Sequence, residues 1–224
     1  MNLKQILDRT LERCLERPQS TYAANIDDNY RRLVQFANAA VADIIAQHEW
    51  SKLKKRGVIT VVDGQNLYDL PADFGYLIDD TTYQNSGFRR INMPATDSFT
   101  AWSEVETTLT YSGRLIGGKI EFKNIPAGDV FFYYQSKYPI IDANTDFQKE
   151  SFTADSDEWL LDDELLIRAC IWSHRKSQGV PEYQLDMQHY GQRLKQLIYQ
   201  DTGARVINAG RKSSLSPPIG TGTY

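Results

Sequence analysis

The sequence is short of the residues on which most metal and redox chemistry depends. Among 224 residues there are two cysteines, Cys14 and Cys170, and three histidines, His48, His174 and His189. Two cysteines supply neither a disulfide framework nor a zinc ligand set, and suit a reducing compartment. No stretch approaches the ~18 consecutive apolar residues of a membrane span. The opening MNLKQILDRTLERCLERP is broken by charge every few residues and lacks the basic-then-apolar order of a secretory signal. A basic excess is missing as well. The 25 Lys plus Arg stand against 29 Asp plus Glu, a formal charge of −4, which argues against a general nucleic-acid binder. Internal repeats of solenoid period are absent. What is present is enough for a folded core: 41% hydrophobic residues and 12% aromatic ones exclude a disordered chain. The expectation is a soluble, cytosolically made protein of one large domain or two modest ones.

Three regions and a tail follow from the change of hydrophobic period, and the fold class they predict is α+β. Leu3, Ile6, Leu7, Leu11, Cys14 and Leu15 recur at helical spacing, and Pro18 is the expected stop. Asp27 or Asp28 is placed to cap a second helix with the stripe Tyr30, Leu33, Val34, Ala37, Ala40, Val41, Ile44 and Ile45. The two predict an antiparallel pair over residues 1–55. From Arg56 the period becomes two, and a small antiparallel β domain is expected over 56–141. Val58–Val62 and Asn66–Leu70 flank Asp63-Gly64, which predicts a hairpin. Further strands are expected at Gly75–Thr82, Thr108–Tyr111, Lys119–Phe122 and Val130–Tyr134. An acidic connector and a second helix pair follow over 142–202. The first of these helices is expected from about Glu158, with Leu161, Leu165, Ala169 and Trp172 on one face and Gly179 as its stop. Pro181 then opens a helix whose Tyr183, Met187, Tyr190, Leu194 and Leu197 form a narrow stripe. Neither pair has a wide apolar face, so the two are expected to share one bundle. Residues 203–224 carry Gly, Ser and Pro and no acid, and read as an extended tail.

Catalytic motifs are weak. Gly113 to Lys119 has the glycine–lysine spacing of a phosphate-binding loop, but Ile120 stands where Ser or Thr must hold magnesium. The alternation through Lys123 is that of a strand, so a hairpin is expected. His48-Glu49 begins like a zinc-protease helix, yet Lys52 occupies the place of the second histidine. Cys170 and His174 lie one helical turn apart, but two ligands do not make a site, and a buried cysteine beside a histidine is the simpler reading. Carboxylates are abundant enough for a glycosidase pair, which only their separation in space would diagnose. The expectation is no cofactor, no metal and no catalytic residue.

Charge distribution says more than any motif. Asp142, Asp146, Glu150, Asp155, Asp157, Glu158, Asp162, Asp163 and Glu164 face only Lys149, so this segment carries −8. It reads either as a solvated loop with the acidic first turn of a helix, or as a surface that repels a polyanion or meets a basic partner. In the tail, Arg205, Arg211 and Lys212 punctuate Val206, Ile207 and Leu215 before Pro217-Pro218. Such a segment either stays extended or orders on a partner.

Trp50-Ser-Lys-Leu53 closes the second helix, the expected Val/Thr-rich hairpin follows, and then comes the turn Tyr68-Asp-Leu70-Pro71-Ala-Asp73-Phe74. Tyr111, Leu115, Phe122, Pro126 and Phe131-Phe-Tyr-Tyr134 continue the pattern between flanking helix pairs. From Asn2 to Ile198 the chain resembles the head-to-tail adaptors of short-tailed bacteriophages, also called tail tubular or tail accessory proteins. The resemblance implies a ring, commonly of twelve copies, below the portal in the neck of the virion. It implies linkage to a tail nozzle protein, a channel through which double-stranded DNA passes without specific binding, and a C-terminal extension that reaches the portal. It implies no catalytic residue and no membrane. Two readings from other classes stand beside it: a virion-associated hydrolase of cell-wall glycans, and a non-phage β-containing interaction module.

Overall fold

The computed structural model describes residues 1–85, 89–93 and 111–202. The expected strand at Thr108–Tyr111 falls largely outside them, and the tail does so entirely. Within them the fold is α+β, with four α-helices and small antiparallel sheets. The helices are α1 (Leu3–Arg13), α2 (Asp28–Ala46), α3 (Asp163–Ser177) and α4 (Tyr183–Asp201).

Side-chain chemistry sets the helix ends. Asn2 accepts from the Gln5 amide at 2.9 Å, and the Gln5 side chain accepts from the Asn2 amide, a reciprocal cap at the start of α1. Asp27 caps α2, accepting from the Asn29 amide at 2.8 Å. Pro18 does not end α1; the helix stops at Arg13, where the Leu15 amide reaches the Glu12 carbonyl and the Glu16 amide reaches that of Leu11. This pattern places the intervening residue in the left-handed region. That residue is Leu15, at φ +62° and 95% exposed, so it leaves the predicted stripe altogether. Helix α3 ends in the same pattern with the usual residue, Gly179 at φ +72°. Its start is later than the periodicity suggests. Asp162 is the cap, and Glu158 lies in a strand, because that segment pairs its backbone with a neighbouring strand instead of coiling.

The helices do not form two separate pairs. Helix α3 is the hub, and α1, α2 and α4 all pack on it. It buries Leu165, Leu166, Ile167, Ala169, Cys170 and Ile171, a wide face where a narrow one is expected. Leu3, Ile6, Leu7 and Leu11 of α1, Leu33, Ala37, Val41 and Ile44 of α2, and Trp50 and Leu53 complete this core. Helix α4 contributes no fully buried residue, only the partly covered Tyr190, Leu194, Leu197 and Ile198.

The sheets hold a second core. Strand β1 (Lys54–Val61) runs antiparallel to β8 (Gly128–Ser136) along its whole length. On the other side of β8 lie β3 (Phe74–Leu77) and β4 (Tyr83–Gln84), the latter paired with β5 (Arg89–Arg90). A separate sheet orders β2 (Leu67–Asp69), β7 (Lys119–Lys123) and β6 (Ser112–Ile116). The Asp63-Gly64 turn is present, with Gly64 at φ +83°, but it is not a hairpin, since β1 and β2 belong to different sheets. Backbone pairing separates them: Ile59 lies opposite Val130 on β8 and Tyr68 opposite Ile120 on β7, while all four side chains enter one core. By contrast β6 and β7 are the expected hairpin, closed by Gly117 and Gly118 at φ +58° and +75°, so the phosphate-loop spacing belongs to a turn between strands. Ile140 ends up in the helical core, on β9 (Ile140–Ile141). This strand lies between β10 (Gln148–Lys149) and β11 (Glu158–Trp159) in a third small sheet.

Candidate functional site

The turn that carries the resemblance works inside the sheet body. Tyr68 is buried; its hydroxyl accepts from the Val62 amide at 3.0 Å and donates to the Gln65 carbonyl at 2.6 Å, so it locks the Asp63-Gly64 turn. Leu70 packs on the same core, and the Pro71 carbonyl accepts from the Phe74 amide at 2.9 Å. The Phe74 ring stacks on Tyr134, centroids 5.5 Å apart. Asp73 lies at the junction. It pairs with Lys55 at 2.6 Å and accepts from the Tyr134 and Ser136 hydroxyls at 2.8 and 2.9 Å. Burial alone pushes its carboxyl upward, but Lys55, Tyr134 and Ser136 outweigh this and hold it below the usual range. Through Lys55, Tyr134 and Ser136, Asp73 joins the start of β3 to β1 and β8.

Six of the nine acids in the −8 segment have partners within the protein. The Asp157 side chain is fully buried; one oxygen accepts from the Thr153 and Ala154 amides, each at 2.7 Å, and the other meets Lys149 at 2.7 Å. Lys149 also reaches Asp142 at 3.0 Å. Asp155 accepts from the Thr21 hydroxyl and from the Tyr22 and Ala23 amides. The Asp155 and Asp157 carbonyls accept the first two free amides of α1, those of Lys4 and Leu3. Asp162 caps α3 and pairs with Arg193 at 2.7 Å, and Asp163 meets the Met1 amino group at 3.1 Å. Glu164 receives both terminal nitrogens of Arg13 at 2.8 Å, and Arg168 joins them. Asp146, Glu150 and Glu158 are exposed and form no ion pair among the described residues. Much of the segment thus ties α1, the 21–23 loop and α3 together.

Two surface features lie outside the sequence expectations. Phe147, between the acids of the β9–β10 turn, is 75% exposed. A cavity of about 160 Å³ is lined by Arg13, Arg168, Ile171, Arg175, Asp186 and His189. The seven-residue step from Arg168 to Arg175 spans two helical turns and puts both on one face, the one signal from which this cluster was readable. Arg13 arrives from another helix, and only folding brings it there.

The remaining polar constellations are braces. Asp201 at the end of α4 accepts from the Ser51 hydroxyl at 2.5 Å and lies 3.1 Å from His48 Nε2. The carboxylate sits between the serine and the histidine, so the histidine does not act on the serine as it must in a hydrolytic triad. His174 meets Glu16 at 2.9 Å, and Cys170 is fully buried, its thiol pushed up to about 12 by burial. No group of three or more metal-ligating side chains gathers among the described residues. No described helix is long and apolar enough to cross a membrane.

The family model for the SU10 adaptor protein matches residues 1–214. Comparison with curated proteins finds no match. The matched span takes in both cores, the Tyr68–Phe74 turn, the acidic segment and the first part of the tail. The chain therefore belongs to the SU10 adaptor protein family, structural proteins of the bacteriophage neck that interact with portal and tail components.

Proposed function

We propose that this chain assembles as a ring of about twelve copies beneath the portal, joins it to the tail nozzle and surrounds the double-stranded DNA channel. The family match over residues 1–214 carries this reading. The match runs past the last described residue, Thr202, and takes in Arg205, Val206, Ile207, Arg211 and Lys212. In the proposal these residues, with Leu215, Pro217 and Pro218, order on the portal. The apolar ones enter a groove, and the three cations meet acidic groups there. An overall charge of −4 suits a wall that DNA slides past, since basic contacts would add binding energy at every phosphate. Synthesis in the host cytoplasm accords with two unpaired cysteines.

The test is the purified chain mixed with its cognate portal and viewed by electron microscopy. An added ring under the portal is expected, and a portal that stays bare defeats the proposal. Deletion of residues 204–224 is expected to weaken portal binding at least about tenfold, the loss of a few apolar anchors. The circular-dichroism spectrum of the body should hardly change. Unaltered portal affinity would refute the role of the tail.

A further inference from the structure

We propose that neighbouring copies are joined by a plug and a socket: Phe147, on its acidic turn, enters the arginine-lined cavity between α1, α3 and α4 of the next copy. The inference rests on the ring reading and supplies its contact.

The plug is rigid. Asp142 organises the turn, its side chain accepting from the Asn144 amide at 2.9 Å and its carbonyl from the Asp146 amide at 2.9 Å. The Asp142 amide in turn donates to the Phe147 carbonyl at 2.9 Å. Lys149 ties the base of the turn to buried Asp157. A large aromatic side chain held outward on such a turn loses little freedom on docking, and aromatic residues so placed dominate interface energies. Asp146 and Glu150 flank it, both exposed and without ion pairs among the described residues.

The socket is complementary in charge and in surface. Among the described residues its three arginines pair with two carboxylates, Glu164 and Asp186. One positive charge is therefore in excess, and His189 is exposed on the rim. Ile171 gives the cavity an apolar floor, and guanidinium planes are favourable faces for an aromatic ring. Arginine clusters are also the usual receptors of acidic motifs.

Within one chain the two cannot be the same contact. Phe147 is 75% exposed, so it does not fill its own socket. Lys149 and Asp157 anchor the plug at the N-terminus of α1, while Arg13 belongs to the C-terminus of that helix, about 15 Å away along its axis. A contact between two different patches of identical subunits is head-to-tail, and it closes into a ring when the rotation permits. That is the symmetry an adaptor ring needs.

The experiment places the purified full-length chain on its cognate portal and follows assembly by sedimentation and electron microscopy. Phe147→Ala and the double variant Asp146→Lys with Glu150→Lys alter only exposed positions, and unchanged circular dichroism verifies the fold. Each is expected to raise the concentration for half-assembly at least about tenfold. Benzoylphenylalanine placed at position 147, in mixed heavy- and light-isotope chains, should cross-link between copies to the segments holding Ile171 or His189. Normal assembly of both variants, or cross-links elsewhere, overturns the plug and socket and leaves the ring standing. A wild-type chain that never assembles on the portal overturns both.

Discussion

Asp73 is held by one lysine and two hydroxyls, so its charge is worth more in the folded protein than in the unfolded chain. A depressed carboxyl contributes stability that is present above its unfolded value and lost as pH falls through the folded one. Asp155, Glu164 and Asp201 are lowered in the same direction against burial, the first by Thr21 and the Ala23 and Tyr22 amides, the last by Ser51 and His48. Glu164 is lowered first of all by Arg13. Denaturant midpoints should therefore fall as pH drops below about 4, the ordinary carboxylate range. Asp73→Asn should cost on the order of 1–2 kcal/mol at neutral pH and flatten that fall, measured by urea titration at several pH values. An unchanged slope would separate Asp73 from the acid sensitivity. Leu15 makes the opposite prediction. An exposed side chain at φ +62° strains the backbone for no packing return, so Leu15→Gly should stabilise by about 0.5–1 kcal/mol in the same assay. The cap at Asp27 was legible in sequence because a cap is a local event, made here with an amide two residues on. The role of Asp73 was not, because Lys55 and Tyr134 reach it from other strands.

At the scale of the element, α3 and α4 differ in what holds them. Six apolar residues of α3 are buried, whereas α4 is attached by half-covered side chains and by the pairs Arg193–Asp162 and Arg175–Asp186. Exposed or half-exposed ion pairs stabilise weakly, typically by 1 kcal/mol or less. Amide hydrogen exchange should therefore be faster throughout α4 than in α3, with the last turn, braced at Asp201, slower than its middle. Equal protection would show α4 to be as firmly packed as the hub. The four helices were readable from their stripes, but the hub was not. Leu166, Ile167 and Ile171 widen the face of α3 beyond one stripe, and a periodicity that reads a single stripe assigns them no partner. The onset of α3 was misread because Glu158 and Trp159 are claimed by β9, a pairing that local propensity does not register.

For the whole molecule, the consequence of interest is that the two cores share no residue. They are joined by the chain at Leu53–Lys54 and at Ser136–Ile140. Phe132 is fully buried in the sheet core, and its ring packs so close to Gly57 that a β-carbon there would lie 2.3 Å from it. Phe132→Ala should destabilise the sheet body by about 3–5 kcal/mol. Hydrogen exchange read by mass spectrometry should then rise across β1, β3 and β8 while α1, α2 and α3 keep their protection. A uniform rise would show one cooperative unit instead. The −8 of the acidic segment also changes meaning at this scale. Of its counter-charges outside the segment, Arg168 lies one turn along α3, while Arg13 and Arg193 are brought from other helices by folding, so the charge offered to a neighbour comes from Asp146, Glu150 and Glu158.

The sequence by itself determined what depends on near neighbours: the α+β order, the cap of α2 at Asp27, the Gly117-Gly118 hairpin and the resemblance carried by the Tyr68–Phe74 turn. Each is encoded within a few residues, where period, propensity and side-chain reach act directly. Tertiary structure alone decided that β1 pairs with β8 across some seventy residues, that α3 is the hub, and that six acids of one segment are spoken for while Phe147 stands exposed between Asp146 and Glu150. Those outcomes depend on which apolar faces and which opposite charges meet when distant segments collapse together, and no local pattern carries that information.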